Sequence, residues 1–446
     1  MLPIAGIPAP IQELAGSFRH LFKRASQFQH FQEFIVGRMV AENRTVAGIH
    51  QGFVESTEYD SFHHFMTDSP WCPDKMAEFR QSWMKAEIGD EKEPSTVVSL
   101  DASFLHHTGD NIYGVYKYWD YVIDAFVLAQ RVVLTSLVTP SKALPLGIRL
   151  YHRGYLEQQR LYLEHIKPAP DANEQERQEF NSLVECYENN AQDHVKQWEL
   201  AIQLVDEIHE HGFKFDAYVI DGGLLVPELM DRIEEHGQAW VSKLAKNRLI
   251  QTPQGGFQRI DSFGQGLPND AFKEVRVKTR QGEERSYWCF TRCFMIKDWK
   301  KQRVVISYDN AELTGEPVFL ITNKKHWHAQ SIVQLYLQRD TIEHFIRDEK
   351  QELGLEDCQQ RKEVAVRKHW ELSFVAHTFL ELGCLPDINA DSPGPDLESL
   401  GQKCRRVEGT LLESFVRLVQ DWIFESKDPK ELIDTIMQKR LNCLAN

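Results

Sequence analysis

Four residues in the C-terminal third of the chain combine chemistries suited to a phosphodiester. They follow one another at spacings of three, four and seven positions: Tyr336, Arg339, Glu343 and Lys350. At about 100° per residue, these spacings place all four side chains within a sector of about 60° on an α-helix. A carboxylate binds divalent metal, cations bind phosphate, and a phenol adds a hydrogen bond. The polar face of an ordinary amphipathic helix would also fit this pattern.

The complete Tyr-(2)-Arg-(3)-Glu-(6)-Lys pattern resembles the signature of a group of bacterial DDE transposases. This is the insertion-sequence-four group, which includes the related insertion-sequence-701 elements. The resemblance implies an α/β fold with a ribonuclease-H-like (retroviral-integrase-like) catalytic core. In that core two aspartates and one glutamate hold two Mg²⁺ ions, with Mn²⁺ as a substitute. Glu343 would be the final acid of this triad.

Two upstream aspartates follow predicted β-strands. Asp101 is expected to close the first of three β-segments rich in β-branched and aromatic residues. Asp221 ends a short apolar run and precedes two glycines. Asp216 is the main rival to Asp221, but it lies at the start of that strand. Because an acid at a strand end is ordinarily solvated, the assignment of Asp101, Asp221 and Glu343 as catalytic and metal-binding residues rests on the resemblance.

The resemblance also implies a reaction and its partners. The chain would be a DNA transposase that cleaves and joins transposon ends by two-metal phosphodiester hydrolysis and transesterification, in a cut-and-paste pathway. Tyr336, Arg339 and Lys350 would bind phosphate near the scissile position. The partners would be double-stranded DNA, as terminal inverted repeats and target, and a second copy of the chain. Two alternatives stay open: a domesticated or inactive transposase that only binds DNA, and a metal-dependent nuclease of the same fold.

Charge is distributed unevenly along the chain. The formal net charge of −15 opposes binding to a polyanion. Residues 241–310, however, contain fourteen Lys or Arg against seven acids, which leaves −22 on the rest. We therefore expect this segment to face DNA, with Lys278, Arg280 and Arg285 as phosphate contacts and Trp288 stacking on an unpaired base. The alternatives are a solvated charged surface and a tryptophan that belongs to the core.

The interval between Asp221 and Glu343 is too long for a minimal ribonuclease-H fold, and its alternating pattern predicts a β-rich insertion. Short amphipathic segments predict helices before and after the core. In the N-terminal helical region, Arg38, Arg44 and Lys23 are candidates for contacts with DNA, and the alternative is an ordinary surface helix. The predicted organisation is a helical N-terminal DNA-binding domain (1–94), a catalytic core (95–238 and 320–385), the β-rich insertion (239–319) and a helical C-terminal region (386–446).

Composition is that of an intracellular protein. The chain has no apolar run of about 18 residues and begins without a basic segment and long apolar core, so we expect a bacterial cytoplasmic, nucleoid-associated protein without membrane contact. Eight scattered cysteines suit a reducing compartment. A zinc site formed by Cys289, Cys293, His326 and His328 is a weaker alternative, because a four-residue offset along a strand separates two side chains by about 13 Å.

Overall fold

The computed structural model describes residues 3–89, 92–120, 122–152, 160, 162–169, 172–192, 195–253, 255–279, 282–383, 398–425, 428, 430–434 and 437. Its helices are α1 (Ala9–Gly16), α2 (Ala25–Val40), α3 (Val46–Gly52), α4 (Tyr59–Thr67), α5 (Pro73–Ile88), α6 (Glu174–Gln192), α7 (Gln197–His211), α8 (Pro227–Glu235), α9 (Ile260–Gln265), α10 (Ala329–Tyr336), α11 (Arg339–Gln351), α12 (Glu363–Leu382) and α13 (Leu400–Phe424). None of these described helices is long and apolar enough to cross a membrane.

The strands are β1 (Val97–His107), β2 (Tyr116–Asp120), β3 (Ala125–Val138), β4 (Ala143–Tyr151), β5 (Ala217–Ile220), β6 (Trp240–Lys243), β7 (Leu249–Gln251), β8 (Phe257–Arg259), β9 (Lys273–Lys278), β10 (Glu284–Met295), β11 (Lys301–Tyr308) and β12 (Val318–Thr322). Ten of the described strands form one mixed sheet in the order β2-β3-β1-β5-β6-β12-β11-β10-β9, with β4 also paired to β3. Among the pairs of this described sheet, only β1–β5 and β5–β6 are parallel. Strands β7 and β8 form a separate hairpin.

Helices cover both faces of the central strands, which explains why β5 and the first half of β1 are buried. All four residues of β5 are buried, as expected for a parallel strand between two helical layers. On one face, Val98 and Leu100 share a core with Leu204 of α7 and Leu229 of α8. On the other face, a second core includes side chains from β1, β5 and helices α10, α11 and α12: Val97, Leu105, Ala217, Val219, Ile332, Ile342, Phe345 and Trp370.

The N-terminal helices do not have a core of their own. Phe31, Phe34 and Phe62 share a third core with Phe379 of α12 and Val407 of α13. The helices α1–α5, expected to form a DNA-binding domain, are therefore packed against the C-terminal half of the chain. Apolar burial of this kind is the main favourable contribution to folding.

Arg38 does not have the role expected for it, because the side chain is fully buried. Its guanidinium donates to the carbonyl oxygens of Leu353 and Gly354, at 3.2 and 2.9 Å. Arg44 donates to two backbone carbonyls as well. Arg38 cannot reach DNA from this position. A buried guanidinium is tolerated here because Nη1 donates to two carbonyl oxygens and Nη2 contacts Nδ1 of His369.

The predicted insertion, residues 239–319, contributes strands to the central sheet. Strand β6 lies parallel to β5, and β12 returns antiparallel to β6. From there β11, β10 and β9 continue the same sheet outwards. The β-rich segment thus extends the sheet that carries Asp101 instead of forming a sheet of its own.

Candidate active site

Asp101 and Asp221 are neighbours at the point where the parallel β1–β5 ladder ends. The last pair of that ladder is Leu100 with Ile220, and the Asp221 amide donates to the Leu100 carbonyl at 3.1 Å. The expectation that Asp101 closes its strand is wrong, because β1 continues to His107. Antiparallel pairing with β3 extends the strand past the aspartate. It is β5, not β1, that ends at this place.

Both aspartates project towards α11. Side chains alternate between the two faces of a sheet, so Asp101 shares a face with Val97 and Leu105, and Asp221 shares a face with Val219. Those apolar residues belong to the core that also includes Phe345 of α11. Glu343 lies two residues before Phe345 on this helix, which packs against β1.

The four-residue signature is divided between two helices. Helix α10 ends at Tyr336 and α11 begins at Arg339, whereas the spacing predicted one continuous helix. Leu337 and Gln338 keep right-handed helical dihedrals, and the Gln338 amide donates to the carbonyl three residues earlier, in a tightened turn. The turn keeps the side chains near each other: burial raises the pKa of Tyr336, and the charge of Arg339 acts against this shift.

Arg339 lies between two of the three acids. Its Nη2 atom is 3.2 Å from Oδ1 of Asp221 and 3.4 Å from Oε1 of Glu343. Burial and the charge of Asp221 raise the pKa of Asp101 to about 7, against the opposing effects of the Ala102 amide and Arg339. Two carboxylates paired with one guanidinium, and a third carboxyl group near them, leave this site with excess negative charge, which suits an added cation.

The donor set fits divalent metal ions. Carboxylate oxygens are the ligands that Mg²⁺ and Mn²⁺ prefer, and repulsion between Asp101 and Asp221 would be relieved by a cation between them. One oxygen of Asp221 accepts from the Gly223 amide at 2.9 Å, which orients that carboxylate. Among the described residues, no three His, Cys, Asp or Glu side chains already stand in a metal-ligating arrangement. Arg339 occupies the space between Asp221 and Glu343.

Lys350 contacts protein groups away from these acids. Its ammonium donates to the carbonyl of Phe104, in the second half of β1, and lies 2.9 Å from Oε1 of Glu356. The side chain is 17% exposed. Glu356 carries no signal in the sequence, because it lies in the loop after α11, where no periodicity or spacing marks it.

The predicted DNA contacts outside the signature are spread over β9 and β10. Lys278 and Arg285 are exposed, and Arg285 lies 3.7 Å from Glu283. Trp288 is partly buried and packs against the core between the sheet and α7 and α8. Arg280 lies outside the described residues. Three other cations of the basic segment, Arg259, Arg276 and Lys300, are paired with acids, which reduces its net positive field.

The rival sites have other contacts. Asp216 lies at the opposite end of β5, where it pairs with Lys92. Cys289 is buried with its thiol against Ser307, and the Cys293 sulfur lies near the Lys325 carbonyl. Within the described residues these cysteines form no metal-ligating group with histidines.

Two family models match the chain. The model described as DDE superfamily endonuclease matches residues 17–276, a segment that contains Asp101 and Asp221. The model described as transposase DDE domain matches residues 183–379, which contain Asp221 and Glu343. A search of curated proteins found no match. Since the first model covers more than half of the chain, and both agree with the acids gathered beside α11, the chain belongs to the DDE superfamily of endonucleases and transposases.

Proposed function

We propose that this chain is a metal-dependent DNA transposase whose catalytic residues are Asp101, Asp221 and Glu343. The observation that supports this most directly is that Asp221, after β5, and Glu343, on α11, both pair with Arg339, and that Asp101 on β1 lies near enough for the charges of all three to affect its pKa. Residues so distant in sequence gain nothing in stability from such crowding. Unbalanced charge gathered at one place is typical of a site that acts on something outside the protein.

The three carboxylates would hold two Mg²⁺ ions, or Mn²⁺ as a substitute. When bound, such ions activate the attacking water or 3′-hydroxyl and stabilise the leaving oxygen. Arg339 is placed to move from the acids to a phosphate oxygen, because its planar guanidinium suits a bidentate contact with phosphate. Tyr336, close enough to Arg339 for the two groups to affect each other's pKa, would add a donor beside it. Lys278 and Arg285 would contact DNA further from the scissile position.

The sheet supports a ribonuclease-H-like core for this reaction. Strands β4, β3 and β1 are antiparallel neighbours, and β1, β5 and β6 are parallel ones. A ribonuclease-H-like fold would bring together an acid on β1 and an acid directly after β5, both facing a helix, as Asp101 and Asp221 do here. We propose that residues 95–238 and 320–385 form this core, that 239–319 are inserted into it, and that 1–94 and 386–446 flank it as DNA-binding and helical C-terminal regions.

The proposed substrate is double-stranded DNA, as the terminal inverted repeats of a transposon and a target, held by two copies of the chain. A nuclease of the same fold would cleave the same ends without joining them. An inactive relative would bind them without cleaving. The three crowded carboxylates favour an enzyme, since a protein that only binds DNA would repel its own ligand with them.

The test is cleavage of duplex DNA carrying the terminal repeats of the element, with Mg²⁺ or Mn²⁺. Glu343→Gln keeps the shape of the side chain but removes the charge that holds a cation, so cleavage should fall by roughly 10³-fold or more while the fold persists. Asp340→Asn is the matched control, because it removes an exposed carboxylate from the same helix. Cleavage by Glu343→Gln at the wild-type rate would contradict the proposal. Joining of the released 3′ ends to a plasmid separates a transposase from a nuclease.

A further inference from the structure

Strand β1 has an open edge beyond the candidate catalytic site. It pairs with β3 along its whole length, but with β5 only as far as Leu100. The Leu100 carbonyl points towards β5, since it accepts from the Asp221 amide. Because successive backbone groups alternate sides, the N–H and C=O groups of Phe104 and His106 point to the same side, where none of the described strands pairs with them. Such groups need other partners.

Two charged side chains supply those partners. Lys350, near the end of α11, donates to the Phe104 carbonyl. Glu356 accepts from the His106 amide at 3.0 Å, and the same oxygen lies 2.9 Å from the Lys350 ammonium. Lys350 and Glu356 together connect the end of α11 to the Phe104 carbonyl and the His106 amide on the open edge of β1. Both are largely shielded, at 17% and 24% exposed, so this pair is worth more than a surface ion pair.

The loop between the two residues is shaped to bring Glu356 back to the strand. Gly354 has a φ of 66°, in the left-handed region that favours glycine. The amide of Leu355 then donates to the carbonyl of Glu349 at 2.9 Å, which holds the reversed chain against α11. Arg38 binds the Gly354 carbonyl from the N-terminal helices. The position of Glu356 is thus determined from two sides.

We propose that Glu356 is a positioning residue for the catalytic acids. With Lys350 it fixes the end of α11 to β1 about three residues beyond Asp101, and so fixes the distance between Glu343 on the helix and Asp101 on the strand. This inference rests on the proposed function of the triad. The resemblance implied a phosphate contact for Lys350, the lysine of the signature. We infer a structural role for it instead, because its ammonium already contacts the Glu356 carboxylate and the Phe104 carbonyl.

The opposite assignment makes a different prediction. If Lys350 binds phosphate in the DNA complex, Glu356 only masks it, and removing the carboxylate should free a cation. DNA affinity would then rise, and the slope of log affinity against log salt would steepen by roughly 0.9 for one further neutralised phosphate. If Glu356 positions the triad, affinity and slope stay as they are, and the metal requirement changes instead.

The experiment compares full-length wild type, Glu356→Ala, Glu356→Gln and the control Glu363→Ala. Glu363 is an exposed carboxylate at the start of α12 whose partner is the Tyr113 hydroxyl, away from the open edge of β1. Three quantities are measured with transposon-end DNA: the cleavage rate at saturating DNA, the Mn²⁺ concentration for half-maximal rate, and the dissociation constant for DNA in Ca²⁺ at several salt concentrations. Thermal unfolding of each variant confirms that it folds.

For Glu356→Ala we expect a cleavage rate lower by about 10-fold to 100-fold and a half-maximal Mn²⁺ concentration higher by about 10-fold, with DNA affinity unchanged, in line with losses at residues that orient metal ligands. Glu356→Gln should recover most of both, because its amide oxygen still accepts from the His106 amide and from Lys350. Glu363→Ala should behave like wild type. Unchanged rate and metal requirement in folded Glu356→Ala, or tighter DNA binding with a steeper slope, would overturn the inference. If the wild-type protein does not cleave transposon-end DNA at all, the proposed function is contradicted instead.

Discussion

Charged side chains are paired differently in two regions of the molecule. One region is the edge of the sheet beside α11, where Asp101, Asp221 and Glu343 lie, and the other is the interface between the N-terminal helices and α12. At the interface each buried cation has its own acceptors. Arg80 ion-pairs with Glu371 at 2.6 Å and donates to the carbonyls of Pro145 and Leu146. Lys368 donates to the Ser69 carbonyl at 2.6 Å and lies over the ring of Trp71. These contacts join the two parts of the chain.

Beside α11 the charges are not balanced. Asp221 and Glu343 share the Arg339 guanidinium, and burial and the charge of Asp221 raise the pKa of the neighbouring Asp101 to about 7. At the interface, where the contacts serve stability, each buried cation is paired with its own acceptors. The uncompensated edge departs from that pattern, as expected where a site is built for a ligand.

The contrast predicts opposite stability effects for charge removal in the two regions, and the largest effect on activity is at the edge. Asp101→Asn should lower DNA cleavage by roughly 10³-fold or more, because the proposed metal ligand loses its charge. At pH 8 the same variant should be more stable than wild type by about 1–2 kcal/mol, less than the full pKa shift would give, since the side chain is partly accessible to solvent. Cleavage rates and denaturant unfolding measure both quantities.

The pH dependence gives the sign of this effect. With a folded-state pKa of about 7 and an ordinary value near 3.8, folded Asp101 binds more protons than unfolded Asp101 between these pH values. Wild-type stability should therefore fall as pH rises from 4 to 7, and the advantage of Asp101→Asn should appear over the same range. Equal free energies of unfolding for the two proteins at pH 8 would show that burial and Asp221 do not disfavour the ionised form of Asp101.

At the interface, charge removal should destabilise. Arg80→Ala leaves Glu371 buried without its partner, and burial already raises the pKa of that carboxyl. The expected loss is about 3–5 kcal/mol in the free energy of unfolding. Arg232→Ala is the control: Arg232 pairs with Asp206 at the protein surface, where water screens the pair, so its removal should change stability far less. Similar losses in the two variants would remove the distinction between interface and surface.

The resemblance carried by the signature led to the three candidate acids, but the sequence did not indicate the structure around them. Asp221 could be placed because a short apolar strand followed by two glycines has a clear end. The continuation of β1 past Asp101 could not be foreseen, since it depends on pairing with β3, far along the chain. Burial of Arg38 was equally hidden, because the carbonyls that accept its hydrogen bonds lie more than 300 positions away. In each case the deciding contact is non-local.

The same limit applies to the segment predicted as an insertion. Its alternating residues indicated strands, but only the pairing of β12 with β6 joins them to the central sheet. The interruption of the signature between α10 and α11 had no local mark either, as neither Leu337 nor Gln338 is a helix breaker. The signature residues still meet because the turn between the helices keeps helical dihedrals.

A divalent cation should remove the imbalance at the edge. Mg²⁺ or Mn²⁺ at about a hundred times its dissociation constant should stabilise the wild-type protein by roughly 2.7 kcal/mol, and should flatten the fall in stability between pH 4 and 7. Glu343→Gln should gain less, because it lacks one ligand. Thermal unfolding with and without the metal tests this. Equal stabilisation of Arg80→Ala and wild type would show in addition that the interface plays no part in metal binding.

The smallest effect concerns the DNA surface away from the triad. Lys278→Glu with Arg285→Glu should weaken DNA binding and reduce the slope of log affinity against log salt, by roughly 0.9 for each phosphate that the variant no longer neutralises. Lys23→Glu with Arg24→Glu, immediately before α2, is the matched pair and should do less. Arg285 is only loosely paired, at 3.7 Å from Glu283, and both insertion cations are exposed, so reversal should not disturb folding. If the N-terminal pair instead weakens binding more, recognition of DNA lies with the helices packed on α12, and the extended sheet serves the core.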